Sequence, residues 1–270
     1  MHQYFLQVTL EGNDPGPALS GLLDAWQSKV LGALKTGLMA PRGSAADTDT
    51  ALVLTVPSLD TRYVLPLMRA HFTPVTNLAA RVVRATAGGP GAIPPSAGPR
   101  ALPPGMVVRR ATERDLDAVG DLAAQLHGYD TRFGAVSARP GSRRLLAGGV
   151  VETHRGGAGW TWVLEQDGDL CGFAQLQNPD QAAWIQHLAL HPGRSGYLAS
   201  AFVRPGSRGA GLGAALVAAV HAEASVARLP SVVLHHATAN PLSAPFWARQ
   251  GYRGLFTIWQ RRPAFAAGMG

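Results

Sequence analysis

The chain has 270 residues, 46% of them apolar, and carries 24 Lys+Arg against 17 Asp+Glu for a net charge of +7. That length and apolar content support one large or two small packed domains and exclude a disordered or fibrous chain. A single cysteine, Cys171, excludes an internal disulfide and a cysteine-based metal cluster, so a reducing, cytoplasmic setting and no bound metal are expected. Apart from Lys29 and Lys35 the basic residues are all arginine. They are scattered, with no zinc-finger spacing or stacking-aromatic motif, so the surplus suits a phosphate-bearing small molecule better than nucleic acid. Met1 to Leu10 has no basic lead, and its apolar run is too short for a signal peptide or a spanning helix, so no membrane partner is expected.

In chain order, about Gln3 to Leu10 reads as a strand and about Pro17 to Leu34 as a helix. Leu19, Leu22, Leu23, Trp26, Val30, Ala33 and Leu34 recur at helical spacing and give it one apolar face. Ala51 to Val56 is a strand, Thr61 to Phe72 a shorter helix with Val64, Leu67, Met68 and His71 on its apolar side, and Leu78 to Ala85 a strand. This alternation is that of a small α/β sandwich, ferredoxin-like if Thr36 to Ala40 adds a strand. It presents no chemistry, so a dimerisation or regulatory module is the expectation, and a worn-down copy of the following domain the alternative. Residues 87–105 are mostly Gly, Pro and Ala without structural period and read as a semi-extended linker. The expected division is 1–86, linker 87–105, second domain 106–262 and tail 263–270.

The second domain reads as strand 107–110, helix 113–126, a polar loop, helix 142–153 and strand 160–166. The turn Asp167-Gly168 then leads to strand 170–177, and Asp-Gly between apolar strands signals a hairpin. Two further strands are expected at about 182–190 and 196–203. A glycine-rich turn, helix 211–226, strand 231–237, helix 242–249 and closing strands to about Arg262 complete it.

The informative segment is Phe202-Val203-Arg204-Pro205-Gly206-Ser207-Arg208-Gly209-Ala210-Gly211-Leu212-Gly213, which joins a strand to an alanine-rich helix. A helix start leaves backbone N–H groups unpaired and carries partial positive charge, and glycines let that backbone approach an anion. Arg208 adds a full charge. The pattern Arg208-x-x-Gly211-x-Gly213 resembles the acetyl-CoA pyrophosphate motif of the GNAT superfamily of N-acetyltransferases. Asn240-Pro241-Leu242-Ser243-Ala244-Pro245-Phe246-Trp247, ending at Gly251-Tyr252, resembles a second motif of that family. Val108 to Asp115 resembles its first strand and the acidic start of its first helix. The resemblance covers about 106–262 and implies an α/β domain with a mixed, mostly antiparallel central sheet flanked by helices.

It also implies an enzyme that moves acetyl from acetyl-CoA to a primary amine. The backbone of Gly209, Ala210, Gly211, Leu212, Gly213 and Ala214 would cradle the pyrophosphate with Arg208 beside it. Ala201, Phe202 and Val203 would pair with the pantetheine as an added strand. Asn240 would hold the pantetheine from the far side, although an Asn before Pro241 also fits a helix cap, and Trp247 stands at the cofactor. Gly209 to Ala214 also fits a dinucleotide fingerprint, but that needs an acidic residue about twenty positions on, where Leu234, His235 and His236 stand.

An amine with a pKa near 10 is only about 0.1% neutral at pH 7, so a base or water chain must take its proton. The oxygen that gains charge needs a fixed donor, for which a backbone N–H of Phe202 or Val203 is the candidate. Many members place a tyrosine at the position of Trp247, and indole is no acid for the departing thiolate. Tyr129 and Asp130, in the loop Leu126 to Phe133, are candidates for binding the acceptor. Glu165 and His187, read on central strands, Ser200, and one of His235 and His236 are further candidates for the base or its water. Strand alternation sends those two histidines to opposite faces, so at most one is expected in the cleft. Tyr252 is expected to pack against the sheet. The acceptor, a small molecule or a peptide, and the oligomeric state, a homodimer included, stay open, as does a catalytically silent acetyl-CoA sensor.

Overall fold

The computed structural model describes residues 2–7, 16–36, 50–83, 102–137, 139–157 and 159–264. Most of the expected linker, residues 37–40 of the extra ferredoxin-like strand and residues 265–270 of the tail lie outside them. The chain divides into two compact units, Met1–Asn77 with Gly254–Gly270, and Leu78–Arg253. The sequence reading places the boundaries at 86, 106 and 262 instead. The difference follows from strand pairing: Val83 N–H bonds Pro230 O at 2.9 Å inside the larger unit, and the closing strand pairs with residues 52–57 inside the smaller one.

In the smaller unit, β1 (His2–Gln7) and β2 (Thr50–Pro57) are parallel, from His2↔Thr50 to Gln7↔Thr55, with α1 (Gly16–Lys35) between them in sequence. Later in the chain a strand running Arg253–Arg261 pairs antiparallel with β2 from Leu52↔Arg261 to Pro57↔Phe256. Leu19 and Leu23 of α1 pack with Leu52, Leu54, Tyr63, Phe72 and Trp259. The following helix, α2 (Val64–Arg69), is only six residues long and follows a 3-10 turn at Thr61–Tyr63. It does not bury the expected stripe. Leu67 and the preceding Tyr63 are buried, while Val64 and Met68 are exposed and His71 lies beyond the end with φ 63°. A helix this short holds no stripe, and Tyr63 brings more apolar area than either exposed side chain.

In the larger unit, β3 (Thr73–Val82) contributes its second half. The elements that follow are β4 (Met106–Arg110), α3 (Leu116–Asp130), α4 (Ser142–Gly156), β5 (Thr161–Gln166), β6 (Asp169–Gln177), β7 (Gly196–Val203), α5 (Leu212–Val226), β8 (Ser231–Ala237) and α6 (Ser243–Arg249). The strand order is β3-β8-β7-β6-β5-β4. Antiparallel pairs join β4 to β7 in turn, and β7 and β8 are parallel. Period-two alternation divides the two cores: Val163, Phe173 and Phe202 pack with α3 and α4, whereas Leu164, Ala174, Val232 and Leu234 pack with Leu212, Leu216 and Val220 of α5. This is the expected mixed, mostly antiparallel α/β sheet with helices on both faces. Asp167 (φ 50°) and Gly168 (φ 96°) form the hairpin turn read from the sequence.

Two elements depart from expectation. Residues read as a strand at 182–190 form a 3-10 helix, Ala183–Leu188. Its buried positions, Ala182, Ile185, Gln186 and Ala189, fall at helical spacing. Gln186 holds it by donating from Nε2 to Ser195 O (2.8 Å) and accepting from Ser195 N–H (3.2 Å). Helix α3 runs four residues beyond 126, so Tyr129 and Asp130 sit on its last turn rather than in a loop. Thr131 Oγ1 caps that turn by donating to Gly128 O at 2.8 Å, and the Tyr129 and Phe133 rings meet edge to face at 5.2 Å.

Candidate active site

The site begins where two neighbouring strands part. Strands β7 and β8 pair only at Gly196↔Val232 and Tyr197↔Val233. A buried polar pin holds that closed end: Ser195 Oγ and Ser231 Oγ lie 2.7 Å apart, and Ser231 Oγ is 3.0 Å from His191 Nδ1. Beyond Tyr197, residues 198–203 on one side and 234–237 on the other line a cleft of about 570 Å³. Against β6 the register passes from Gln175↔Ser200 to Leu176↔Leu198, leaving Ala199 as a bulge on the cleft wall.

The glycine-rich turn closes the open end. Gly209 (φ 102°) and Gly211 (φ 81°) adopt the left-handed region that an L side chain avoids, and Gly211 is the N-cap of α5. Among the described residues, the backbone N–H groups from Gly209 to Ala214 have no hydrogen-bond partner, and intrahelical bonding resumes at Ala215 N–H to Gly211 O, 3.1 Å. Such a row of free donors on a helix dipole is an anion cradle. Arg208 Nε donates to Val203 O at 2.9 Å, and its guanidinium lies 4.7 Å from the Tyr129 ring centroid and 5.7 Å from that of Phe202. Gly213 faces Phe246, where a Cβ would make an ordinary contact with the ring at 3.4 Å.

All residues assigned to the cofactor from the sequence line this cleft apart from Ala210, which sits in the turn, and Tyr129 and Asp130 line it too. Asn240 is buried, and its Oδ1 accepts from Leu242 N–H at 3.0 Å, so it does cap the turn into α6. With Oδ1 committed, its amide N–H groups are what it offers the cleft. The Trp247 ring stands edge to face with Phe246 at 4.8 Å and Tyr252 at 5.4 Å. Tyr252 is buried as expected, 3.0 Å from His221 Nε2. Arg81 Nη1, always a donor, bonds His221 Nδ1, so Nε2 carries the proton and donates to Tyr252.

The acid–base candidates separate clearly. Glu165 bonds Arg109 Nε at 2.7 Å, and His187 is exposed on the 3-10 helix. Neither lines the cleft, whereas Ser200, His235 and His236 all do. The expectation that only one of the two histidines reaches it is corrected. Past Val233 strand β8 has no partner on the cleft side, so the cleft runs along its edge and meets both faces. Burial pushes Asp130 up to about 6, against the pull of His127 and Arg208. It pushes His235 down to about 4, with His236 adding to the shift, and lowers His236 as well.

Sequence reasoning missed two residues here. The Tyr197 hydroxyl lies 3.2 Å from His235 Nδ1, and the Trp184 ring stacks on that of His235 at 5.9 Å and 12°. Trp184 was hidden by the strand reading of 182–190, although the spacing of Ala182, Ile185 and Ala189 is helical.

Comparison with known proteins agrees with the fold of the larger unit. The family model described as acetyltransferase (GNAT) family matches residues 136–252. A GCN5-related N-acetyltransferase from Sphaerobacter thermophilus superposes with a TM-score of 0.61 at 17% identity, covering 96% of this chain and 73% of that one. A GNAT-family acetyltransferase from Colwellia psychrerythraea gives a TM-score of 0.52 at 12% identity, covering 78% and 64%. A search of curated proteins finds no match. The split between β7 and β8, with a free-donor turn at its mouth, thus lies within the stretch, residues 136–252, that matches the model of the GNAT acetyltransferase family.

Proposed function

We propose that the protein is an acetyl-CoA-dependent N-acetyltransferase that passes the acetyl group directly to a primary amine, a small molecule or a peptide terminus, in the cytoplasm. The observation that carries this reading is the row of unpartnered N–H groups from Gly209 to Ala214 at the mouth of the β7–β8 split. The pyrophosphate would take those donors and Arg208. The pantetheine would extend along β7 past Ala201, Phe202 and Val203, with the Asn240 amide donating from the opposite wall and Trp247 flanking it. Val203 O already accepts from Arg208, so the pairing falls to the other backbone groups.

Val203 and Ala199 are four residues apart, about 13 Å in a strand. An extended arm anchored at the turn therefore delivers its thioester near the bulge, and the oxyanion donor moves from Phe202 or Val203 to the backbone around Ala199 and Ser200. There the amine lone pair attacks the carbonyl carbon, charge gathers on oxygen, and the thiolate leaves. A thiol pKa of about 8.5 makes that departure feasible beside Trp247 without an acid. Asp130 is the cleft carboxylate suited to an ammonium acceptor, since a half-buried acid without an ion-pair partner among the described residues gains from one. The test is titration of acetyl-CoA into the protein, followed by thiol release with a panel of primary amines. Saturable binding without amine-dependent release would favour the silent sensor, and no binding would end both readings.

A further inference from the structure

The cluster of Tyr197, His235 and Trp184 stands at the closed end of the split and is not used by the mechanism above. Because β7 and β8 are parallel with Tyr197↔Val233 as their last pair, His235 is level with Ala199, the bulged residue. His235 therefore faces the part of the cleft where the thioester would arrive, and it lines that cleft together with Ala199 and Ser200.

The protonation of the ring follows from its neighbours. The Tyr197 hydroxyl is buried, and burial raises its pKa to about 12, so it keeps its proton. His235 Nδ1 is its hydrogen-bond partner among the described residues. If Nδ1 carried a proton, that hydroxyl hydrogen would be buried without an acceptor; with Nδ1 accepting, the bond is satisfied. Burial keeps the imidazole neutral at pH 7, so its one proton is on Nε2. That atom has no partner among the described residues and is not enclosed, since it is absent from the buried unpaired atoms. Trp184, stacked on the ring, fixes its plane.

We propose that His235 is a neutral N–H donor to the thioester carbonyl oxygen, with Tyr197 setting its tautomer. This rests on the acetyl-transfer reading. As the amine nitrogen bonds to the carbonyl carbon, the C=O π electrons move to oxygen, which accepts from Nε2–H. Collapse restores C=O and expels the thiolate, and the ammonium proton leaves through water. His235 keeps its proton throughout, so it is not the base. A neutral imidazole in a fixed tautomer serves this way because it supplies a donor without adding a competing acid.

The experiment compares wild type with His235→Ala, His235→Gln and Tyr197→Phe, reading acetyl-CoA affinity by calorimetry, thiol release against pH, and the His235 nitrogen resonances. The expected results are an Nε2–H tautomer whose signal moves with acetyl-CoA but not with CoA, and affinity within about threefold of wild type in every variant. His235→Ala should lose on the order of 100-fold in rate. His235→Gln, which places an N–H near Nε2, should recover most of it, and Tyr197→Phe should lower the rate several-fold. An unmoved His235 signal with acetyl-CoA bound overturns the proposal, as does wild-type turnover in His235→Ala. So does loss of the acidic limb of the pH profile in His235→Gln, which would make His235 the base. Those outcomes leave the acetyl-transfer reading standing, whereas failure of the wild type to bind acetyl-CoA removes both.

Discussion

Replacing Arg208 by Ala separates a phosphate partner from a packing residue. The side chain makes one bond, Nε to Val203 O at 2.9 Å, and lies over the Tyr129 and Phe202 rings. Its charge stands beside the Gly209–Ala214 donors. A charge-assisted hydrogen bond to a phosphate is worth about 1.5–3 kcal/mol, which at about 1.4 kcal/mol per decade is a roughly 10- to 150-fold loss of acetyl-CoA affinity. The ring contacts contribute about 0.5–1 kcal/mol each to the fold, a drop of a few degrees in Tm. Calorimetry at low and high salt should show the deficit shrinking as salt screens the wild-type charge. S-acetylpantetheine, which lacks the pyrophosphate, should bind both proteins with similar affinity. An acetyl-CoA Kd within twofold of wild type, or an equal deficit with both ligands, would refute the assignment of Arg208 to the pyrophosphate.

Three further perturbations test the site. Gly211→Ala forces an L residue to φ 81° with nothing within 4 Å of the new Cβ, so backbone strain alone should cost about 1–2 kcal/mol; an unchanged Tm would show that the cap is not held at this angle. Asp130 is raised to about 6 by burial, so its contribution to stability is full below the ordinary carboxylate pKa and is lost as pH rises through 6. Asp130→Asn should therefore melt higher than wild type at pH 8, and the gap should close by pH 4 to 5; a gap that widens in acid would reverse the sign. Trp247→Tyr restores the hydroxyl common in the family, yet kcat should stay within about threefold, because a thiol of pKa about 8.5 departs without help. A tenfold gain would identify thiolate departure as rate-limiting.

Much of the larger unit was legible because its signals are local. Asp167-Gly168 marks its hairpin in two residues, and Gly209, Gly211 and Gly213 mark the turn into α5 within five. The residues that failed are those whose conformation is set by a distant partner. Ala183 to Leu188 is apolar enough for a strand, and what turns it helical is Gln186 reaching the backbone of Ser195 nine positions away. The smaller unit is bounded differently from the sequence reading for the same reason: nothing in Gly254 to Arg261 announces that its partner is β2, some two hundred residues earlier.

The split between β7 and β8 shows the limit most sharply, since it is a pairing that stops. Leu198 to Val203 and Leu234 to Ala237 look like ordinary strand sequence. What parts them is the combination of a one-residue bulge at Ala199 and a closed end pinned by Ser195, Ser231 and His191. Beyond the pin the facing backbone edges of the two strands do not pair with each other. On the proposed function the sequence motif marks where phosphates would sit, about 13 Å from where the thioester would arrive, but not the far end, where His235 stands level with the bulge. The tautomer of that histidine depends on Tyr197, a residue that carries no motif and matters only because the register of two parallel strands brings its hydroxyl to Nδ1.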